Sequence, residues 1–339
     1  MIKTSDISII IQGPIHESFC ADVIERMKTN FIDSQIIFSG WHGDKKEIIP
    51  EDVMVVLNHD PGGLQISDNP VAYDSANRQI VSTLGGLRKA NRKYAIKIRS
   101  DIFLEKTEWL KLFEKYKNYD LNFKFLRSRV IVSSMFCVNP NKIPLPYHPS
   151  DWFFFGYTED LLHIFDIPLL TEENANWFKG KVRNKYAYGW HCRFRSEQHI
   201  WTSFIGKHLE LNFDHQNDIE NDNIEISERI FANNTIIVDS EILGIQSFKY
   251  PSYIEADSAR GFFSSNYYFF DWIRLYAKYS DRNEIYIRFD LRRWKSNVRW
   301  FLSNKAKAAY LILLYSGMLA HSPLKGAMYS VKKILTMLR

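Results

Sequence analysis

The chain predicts an open α/β fold, with a mostly parallel, twisted sheet flanked by helices, and three observations carry that expectation. Short runs of β-branched and apolar residues with little alternation recur through its first third, as in strands covered on both faces. Helical patterns lie between these runs, so the connections are crossovers rather than hairpins. The runs end in glycine, proline or an acid, the residues that punctuate a strand's carboxyl end.

In chain order, Ser8-Ile-Ile-Ile is a buried strand ending at Gln12-Gly13-Pro14, and residues 16–30 are a helix. Gln35-Ile-Ile-Phe-Ser is a second strand closed by Gly40, and residues 53–57 are a third closed by Asp60-Pro61-Gly62-Gly63. Asn69-Pro70 suits a helix start, because Pro fits the first turn and Asn caps it. Ala76, Ile80, Leu84 and Leu87 then form one apolar stripe. Tyr94-Ala-Ile-Lys-Ile-Arg99 is the fourth strand, followed by Ser100-Asp101. Ligands of such sheets bind at the strands' carboxyl ends, so the ends of strands one, three and four are expected to converge on one crevice.

Beyond Leu126 the pattern changes. Residues 129–137 form a strand, and a connection containing Pro140, Pro144, Pro146 and Pro149 follows. Ser150-Asp151 then precedes the aromatic run Trp152-Phe-Phe-Phe155. Residues 158–165 suit a helix, residues 174–194 are aromatic and basic without a clear period, and Arg195-Ser196-Glu197-Gln198 opens a helix over 199–208. An acidic loop covers 214–222 and a strand covers 235–239. After Tyr253 the chain turns aromatic, then basic and helical.

The 339 residues are 45% hydrophobic and 24% charged, which excludes collagen-like, disordered and disulfide-scaffold classes. Cys20, Cys137 and Cys192 are odd in number and far apart, as buried thiols of a reducing compartment would be. The net charge of +5 is unevenly spread: residues 291–339 hold ten Lys and Arg and no acid, leaving 34 basic against 39 acidic residues before them. A basic tail interleaved with Trp294, Trp300 and Phe301 suits an anionic membrane surface; packing on the body is the plainer alternative. Nucleic acid is disfavoured, because no recognition motif accompanies the charge. The longest apolar run, 308–320, is 13 residues, short of the roughly 20 that span a bilayer. The polar start shows no secretory pattern, so a cytoplasmic protein, peripheral at the inner face of the cytoplasmic membrane, is expected.

The most informative block is Asn77-Arg78-Gln79 leading through Leu87 to Lys97-Ile-Arg-Ser-Asp101. An acid at a strand end can hold Mg or Mn against a diphosphate, which nominates Asp101. Lys97 and Arg99 can meet phosphates through charge-assisted bonds, as can Lys249. The alternative is that Lys97 and Arg99 lie on a solvated face and that Asp101 caps the next segment.

Ile9-Ile-Ile-Gln-Gly-Pro14, Asp60-Pro61-Gly62, Asn77-Arg78-Gln79-Ile-Val-Ser-Thr83, Gly86-Leu87 and Lys97-Ile-Arg-Ser-Asp101 resemble the WavE family of bacterial lipopolysaccharide-synthesis proteins. Ser150-Asp151-Trp152 with Gly156, and Ser196-Glu197-Gln198, resemble it too; the likeness covers roughly residues 5–250. The element order is similar to the nucleotide-sugar half of GT-A glycosyltransferases. The resemblance implies sugar transfer from a nucleotide sugar to a lipopolysaccharide core or other lipid-linked or surface glycan. It implies Gln12-Gly13-Pro14 around the nucleotide, Asp60 near base or ribose, Asn77 and Arg78 under the donor, and Asp101 as an acid of the Asp-x-Asp metal motif. Arg99 stands where that motif has its first acid, so Arg99 could instead replace part of the metal's charge.

An inverting transfer needs a base near the acceptor hydroxyl. Asp151, amid aromatic residues, and Glu197, at a helix start, are the candidates; turn capping and a favourable helix dipole are their plainer readings. His148, His191 and His199 lack ligand-pair spacing. Residues 1–255 are expected to form the enzyme domain (1–125 for the donor, 126–255 for acceptor and catalysis), with 256–339 as an aromatic, basic helical extension. The alternatives are a sugar-phosphate nucleotidyltransferase and a non-catalytic glycan- or lipid-binding assembly factor. The first usually carries a Gly-rich basic first loop, which Gln12-Gly13-Pro14-Ile15 is not.

Overall fold

A computed structural model describes residues 2–69, 72–181, 191–254 and 265–281. The basic tail 291–339 lies outside the described residues, as do Pro70 and 182–190 of the aromatic, basic stretch. The chain divides into two compact units, and all the described residues belong to the first, Met1–Ile254 with Ser265–Ile287.

The core is a seven-stranded sheet. Its sequence is led by β1 (Ile7–Gln12), every residue of which is buried. β2 (Gln35–Trp41), β3 (Met54–Asn58) and β6 (Tyr94–Arg99) run parallel to it and follow the expected positions. Between β3 and β6 lie the two-residue strands β4 (Leu64–Gln65) and β5 (Tyr73–Asp74), paired as a hairpin. β8 (Val130–Ser133) and β10 (Thr235–Val238) pair in parallel at the far side. β9 (Phe153–Tyr157) joins the two halves, antiparallel to both β6 and β8. The spatial order is β10-β8-β9-β6-β1-β2-β3, a mostly parallel sheet of the expected class.

Helices cover the faces. α1 (Cys20–Asn30) starts later than the expected residue 16. α2 (Ala76–Leu87) buries Ala76, Ile80, Thr83 and Leu87, and lies over β1 and β2. It comes close because Gly86 has no side chain: a Cβ there would lie 2.5 Å from Ile10 Cγ2. The expected start at Asn69-Pro70 is not where this helix begins. The chain first makes the β4–β5 turn, with the Ala72 N–H donating to the Asn69 carbonyl at 3.0 Å. The Asp74 carboxylate then accepts the Ala76 N–H at 2.6 Å and fixes the true start.

α3 (Thr158–Phe165) packs on β9 and α2, with Phe154 edge-on to Phe165. Phe153 and Phe155 point to the opposite face, against Trp109, as alternation along a strand requires. A short helix α4 (Glu172–Ala175) precedes α5 (Ser196–Ile205). α6 (Asn223–Asn234) leads directly into β10. The helix Phe269–Tyr279, within the segment expected to be an extension, packs against α6 and β10 and buries Trp272, Ile273 and Tyr276. The three cysteines are buried and unpaired, and burial pushes the Cys20 thiol up to about 11 and Cys192 up to about 12. Among the described residues no helix is long and apolar enough to cross a membrane.

Candidate active site

Parallel strands place their carboxyl ends on one sheet edge. In register, Gln12 lies beside both Arg99 and Ser39. The chain leaves β1 at Gly13 with φ +124°, a conformation that favours glycine, and a Cβ there would meet Ser100 Oγ at 2.9 Å. The Ser100 N–H donates to the Gln12 carbonyl at 2.8 Å, locking the ends of β1 and β6 together. After Asp101 the chain enters β7 (Ile102–Leu104), which pairs antiparallel with β11 (Ile245–Ser247). That pairing delivers Lys249 and Tyr250 to the same edge.

A cleft of about 580 Å³ opens there, lined by Gln12, Gly13, Pro14, Asp60, Arg78, Arg99, Ser100, Asp101 and Lys249, and by His16, Trp41, Ser75, Gln79 and Tyr250. The expected convergence of strands one, three and four is therefore present, with β2 adding Trp41. Trp41, His16 and Ser75 were not singled out from sequence; for Trp41 the signal was available, because β2 ends on the same edge as its neighbours.

The cleft's two acids are each gripped by an arginine. Arg78 Nε and Nη2 donate to the two Asp60 oxygens at 2.8 Å each, and this pair is partly exposed. Arg78 holds the Asp60 carboxyl below its usual range. Arg99 Nε and Nη2 donate to Asp101 Oδ1 and Oδ2 at 3.0 and 3.1 Å. The Arg99 guanidinium also lies over two rings, 5.0 Å from the Trp152 centroid and 5.5 Å from that of Tyr250. Among the described residues no carboxylate pairs with Lys249, which lies 5.3 Å from the Tyr250 ring centroid.

Two expected donor contacts are absent from the cleft wall. Lys97 neither contacts the cleft nor lies on a solvated face: it is fully buried, because α3 and Phe154 of the neighbouring β9 cover its face of β6. Its ammonium donates to the main-chain carbonyl of Asp151 and lies near the Phe154 and Phe165 rings. Burial lowers its pKa from 10.5 to about 8. Asn77 is also buried and turned away. Its amide donates to the Leu170 carbonyl at 2.9 Å and accepts the Leu170 N–H at 2.7 Å, pinning that loop to α2.

Asp151 and Glu197 lie in a layer behind the wall rather than in it. β9 explains how Asp151 arrives: being antiparallel, it begins at the edge where β6 ends, with Phe153 opposite Ile98. Gln79 Nε2 donates to Asp151 Oδ2 at 2.5 Å, so Gln79 stands between the cleft and this carboxylate. Glu197 Oε2 lies 3.5 Å from His148 Nε2. Burial, then the Asp151 carboxylate, raises the Glu197 pKa to about 8. Burial, then Arg195, lowers that of His148 to about 4, so the imidazole is neutral. Asp74, which sequence reasoning missed, joins this layer; its carboxylate accepts from Ser196 Oγ at 2.9 Å, and burial raises its pKa. A two-residue strand gives too little pattern to reveal it.

The donor set does not fit Mg or Mn at Asp101. Both its oxygens accept from Arg99, Oδ2 also accepts from Ser247 Oγ at 3.4 Å, and the carboxyl is almost wholly buried. Among the described residues no three His, Cys, Asp or Glu side chains gather as a metal site. His148, His191 and His199 each stand apart in this sense, with His199 Nε2 3.0 Å from the Pro168 carbonyl oxygen.

A family model described as WavE lipopolysaccharide synthesis matches residues 7–309. No curated protein matches the chain. Among solved structures, HddC from Yersinia pseudotuberculosis is similar at 12% identity and a TM-score of 0.28, over 48% of this chain and 80% of that one. The galactosyltransferase LgtC, in complex with donor and acceptor sugar analogs, is similar at 6% identity and a TM-score of 0.34, over 71% of this chain and 86% of that one.

Proposed function

The chain belongs to the WavE lipopolysaccharide synthesis family, and on that premise we propose that it is a glycosyltransferase. It takes a nucleotide-sugar donor in the cleft and passes the sugar to a lipopolysaccharide core or another bacterial surface glycan. The observation that carries this reading is the convergence of Gln12-Gly13-Pro14, Asp60, Arg78, Arg99 and Lys249 on one cleft at the strands' carboxyl ends.

In the reaction an acceptor hydroxyl oxygen bonds to the anomeric carbon. The bond from that carbon to the phosphate oxygen breaks, and its electron pair leaves with the nucleoside diphosphate. Arg99 and Lys249 meet the growing charge on that leaving group. Asp60, fixed by Arg78, faces the nucleoside. The hydroxyl proton needs a base. Asp151 is the candidate that adjoins the cleft, separated from it only by Gln79, whereas burial and the Asp151 carboxylate push the Glu197 carboxyl above its ordinary range; Asp151 is therefore assigned as the base. Acceptor binding then has to draw Gln79 away from Asp151 for the proton to cross. The acid-free segment 291–339 supplies attraction to anionic headgroups, and places the enzyme peripherally at the inner face of the cytoplasmic membrane.

The test is release of nucleoside diphosphate from a panel of nucleotide sugars, with lipopolysaccharide core as acceptor. One donor is expected to be turned over, and Arg99→Ala to lower the rate by about 100-fold, the usual cost of losing one charge-stabilising donor. Consumption of a nucleoside triphosphate with release of pyrophosphate would identify a nucleotidyltransferase instead. Glycan binding with no nucleotide bound at all would leave the assembly-factor reading.

A further inference from the structure

We propose that this cleft neutralises the donor's diphosphate with a clamped arginine, Arg99, and does so without a divalent cation; the inference rests on the nucleotide-sugar reading above. Asp101 spends both its oxygens on the Arg99 fork, at 3.0 and 3.1 Å, and is shielded from solvent. A cation at Asp101 would have to displace a guanidinium from a buried carboxylate and then sit beside the displaced charge. The cleft's other carboxylate offers no alternative, because Asp60 is engaged by Arg78 in the same two-point manner.

The same contacts that remove a metal ligand build an anion site. A guanidinium has five N–H donors, and Asp101 takes two of them. The rest stay on a planar group that Trp152 and Tyr250 hold in place by their rings, 5.0 and 5.5 Å from its carbon. Arg99 keeps 23% of its side chain exposed, and it lines the cleft. A fixed guanidinium with free N–H edges matches phosphate oxygens well. Lys249 contributes a second cation to the same wall. Asp101 is thus a positioning residue that aims Arg99, not a metal ligand. When the bond from the anomeric carbon to the phosphate oxygen breaks, the electron pair stays on the diphosphate. Arg99 and Lys249 meet that charge without transferring a proton.

Isothermal titration of the full chain tests this with UDP, GDP, CDP, ADP and inorganic pyrophosphate, first in EDTA and then in Mg or Mn. At least one diphosphate is expected to bind in EDTA with an affinity within about threefold of that in metal. Arg99→Lys, which keeps the charge and loses the fork, is expected to weaken it by about tenfold or more. Tyr250→Leu removes one clamping ring and is expected to weaken it by about threefold. Binding that appears only with Mg or Mn would overturn the inference and leave the donor reading standing. No diphosphate binding under either condition would overturn both. Binding in EDTA that both variants leave unchanged would show that Arg99 is not the anion's partner. The wild-type comparison needs no variant, so a misfolded Arg99→Lys does not remove the test.

Discussion

Replacing Lys97 by Met probes the buried ammonium that holds β9 to β6. In the folded chain this lysine's pKa falls from 10.5 to about 8 through burial. Unfolding returns it to water and to its ordinary value. Between these two values the unfolded chain carries a proton that the folded chain does not, and stability rises with pH wherever the unfolded state binds more protons. At 1.36 kcal/mol per pKa unit, the shift amounts to about 3 kcal/mol in full, of which about 2 kcal/mol falls between about pH 8 and 10. Met cannot titrate, so Lys97→Met lacks that gain. Tyrosine ionisation and other shared effects cancel when the two proteins are compared. Near pH 7 the variant is relieved of a buried charge but leaves the Asp151 carbonyl without its donor, at a cost of about 1–3 kcal/mol. The two proteins should therefore be similar at pH 7, with the wild type ahead by about 2 kcal/mol at pH 10. Urea unfolding at both pH values measures this. Parallel changes in the two proteins, with no widening gap, would refute a buried, titrating Lys97.

Asn77→Ala should destabilise the fold by about 2–4 kcal/mol, because it strips both main-chain partners from Leu170; chemical denaturation reads this directly. Gly86→Ala should cost about 1–3 kcal/mol despite better helix propensity, since its Cβ would press Ile10 Cγ2 at 2.5 Å and Ser39 Cβ at 3.1 Å; a raised midpoint would contradict the close approach of α2. Glu197→Gln should change the pH dependence of thermal stability. The folded pKa of Glu197 lies above its unfolded value, so its contribution is present at low pH and is lost as pH rises from 4.5 through about 8. The variant should gain on the wild type across that window, and a constant difference in melting temperature would argue against a raised Glu197.

The parallel strands were legible because each is a short apolar run with a clear stop. Gln12-Gly13-Pro14 and Arg99-Ser100-Asp101 fall on one edge by sequence alone, since parallel strands end together. β9 was not legible as a strand. Its Phe-Phe-Phe sequence buries both faces and shows no alternation, and its antiparallel direction follows from no local pattern. α6 was missed as well, because its inward face includes polar residues such as Asn223, Ser227 and Asn234 that are satisfied by distant backbone and side chains. The false helix start at Asn69-Pro70 had sound local chemistry, and the β4–β5 turn overrode it.

Local physical chemistry in the chain settled the α/β class, the direction of its first four long strands and the edge on which their carboxyl ends converge. Periodicity and turn residues act over a few positions, and a parallel sheet turns such local facts into a shared edge. Which charged groups face that edge was decided only by packing. Lys97 and Arg99 occupy the same side of one strand, two residues apart. Lys97 falls beneath α3 and is spent on the Asp151 carbonyl, whereas Arg99 lies at the strand's end, against the adjoining rings of Trp152 and Tyr250. The arginine that engages both Asp101 oxygens is two residues away in sequence. The rings and the serine around that pair come from segments about 50 and 150 residues further on, and desolvation and contact at that range leave no local signature.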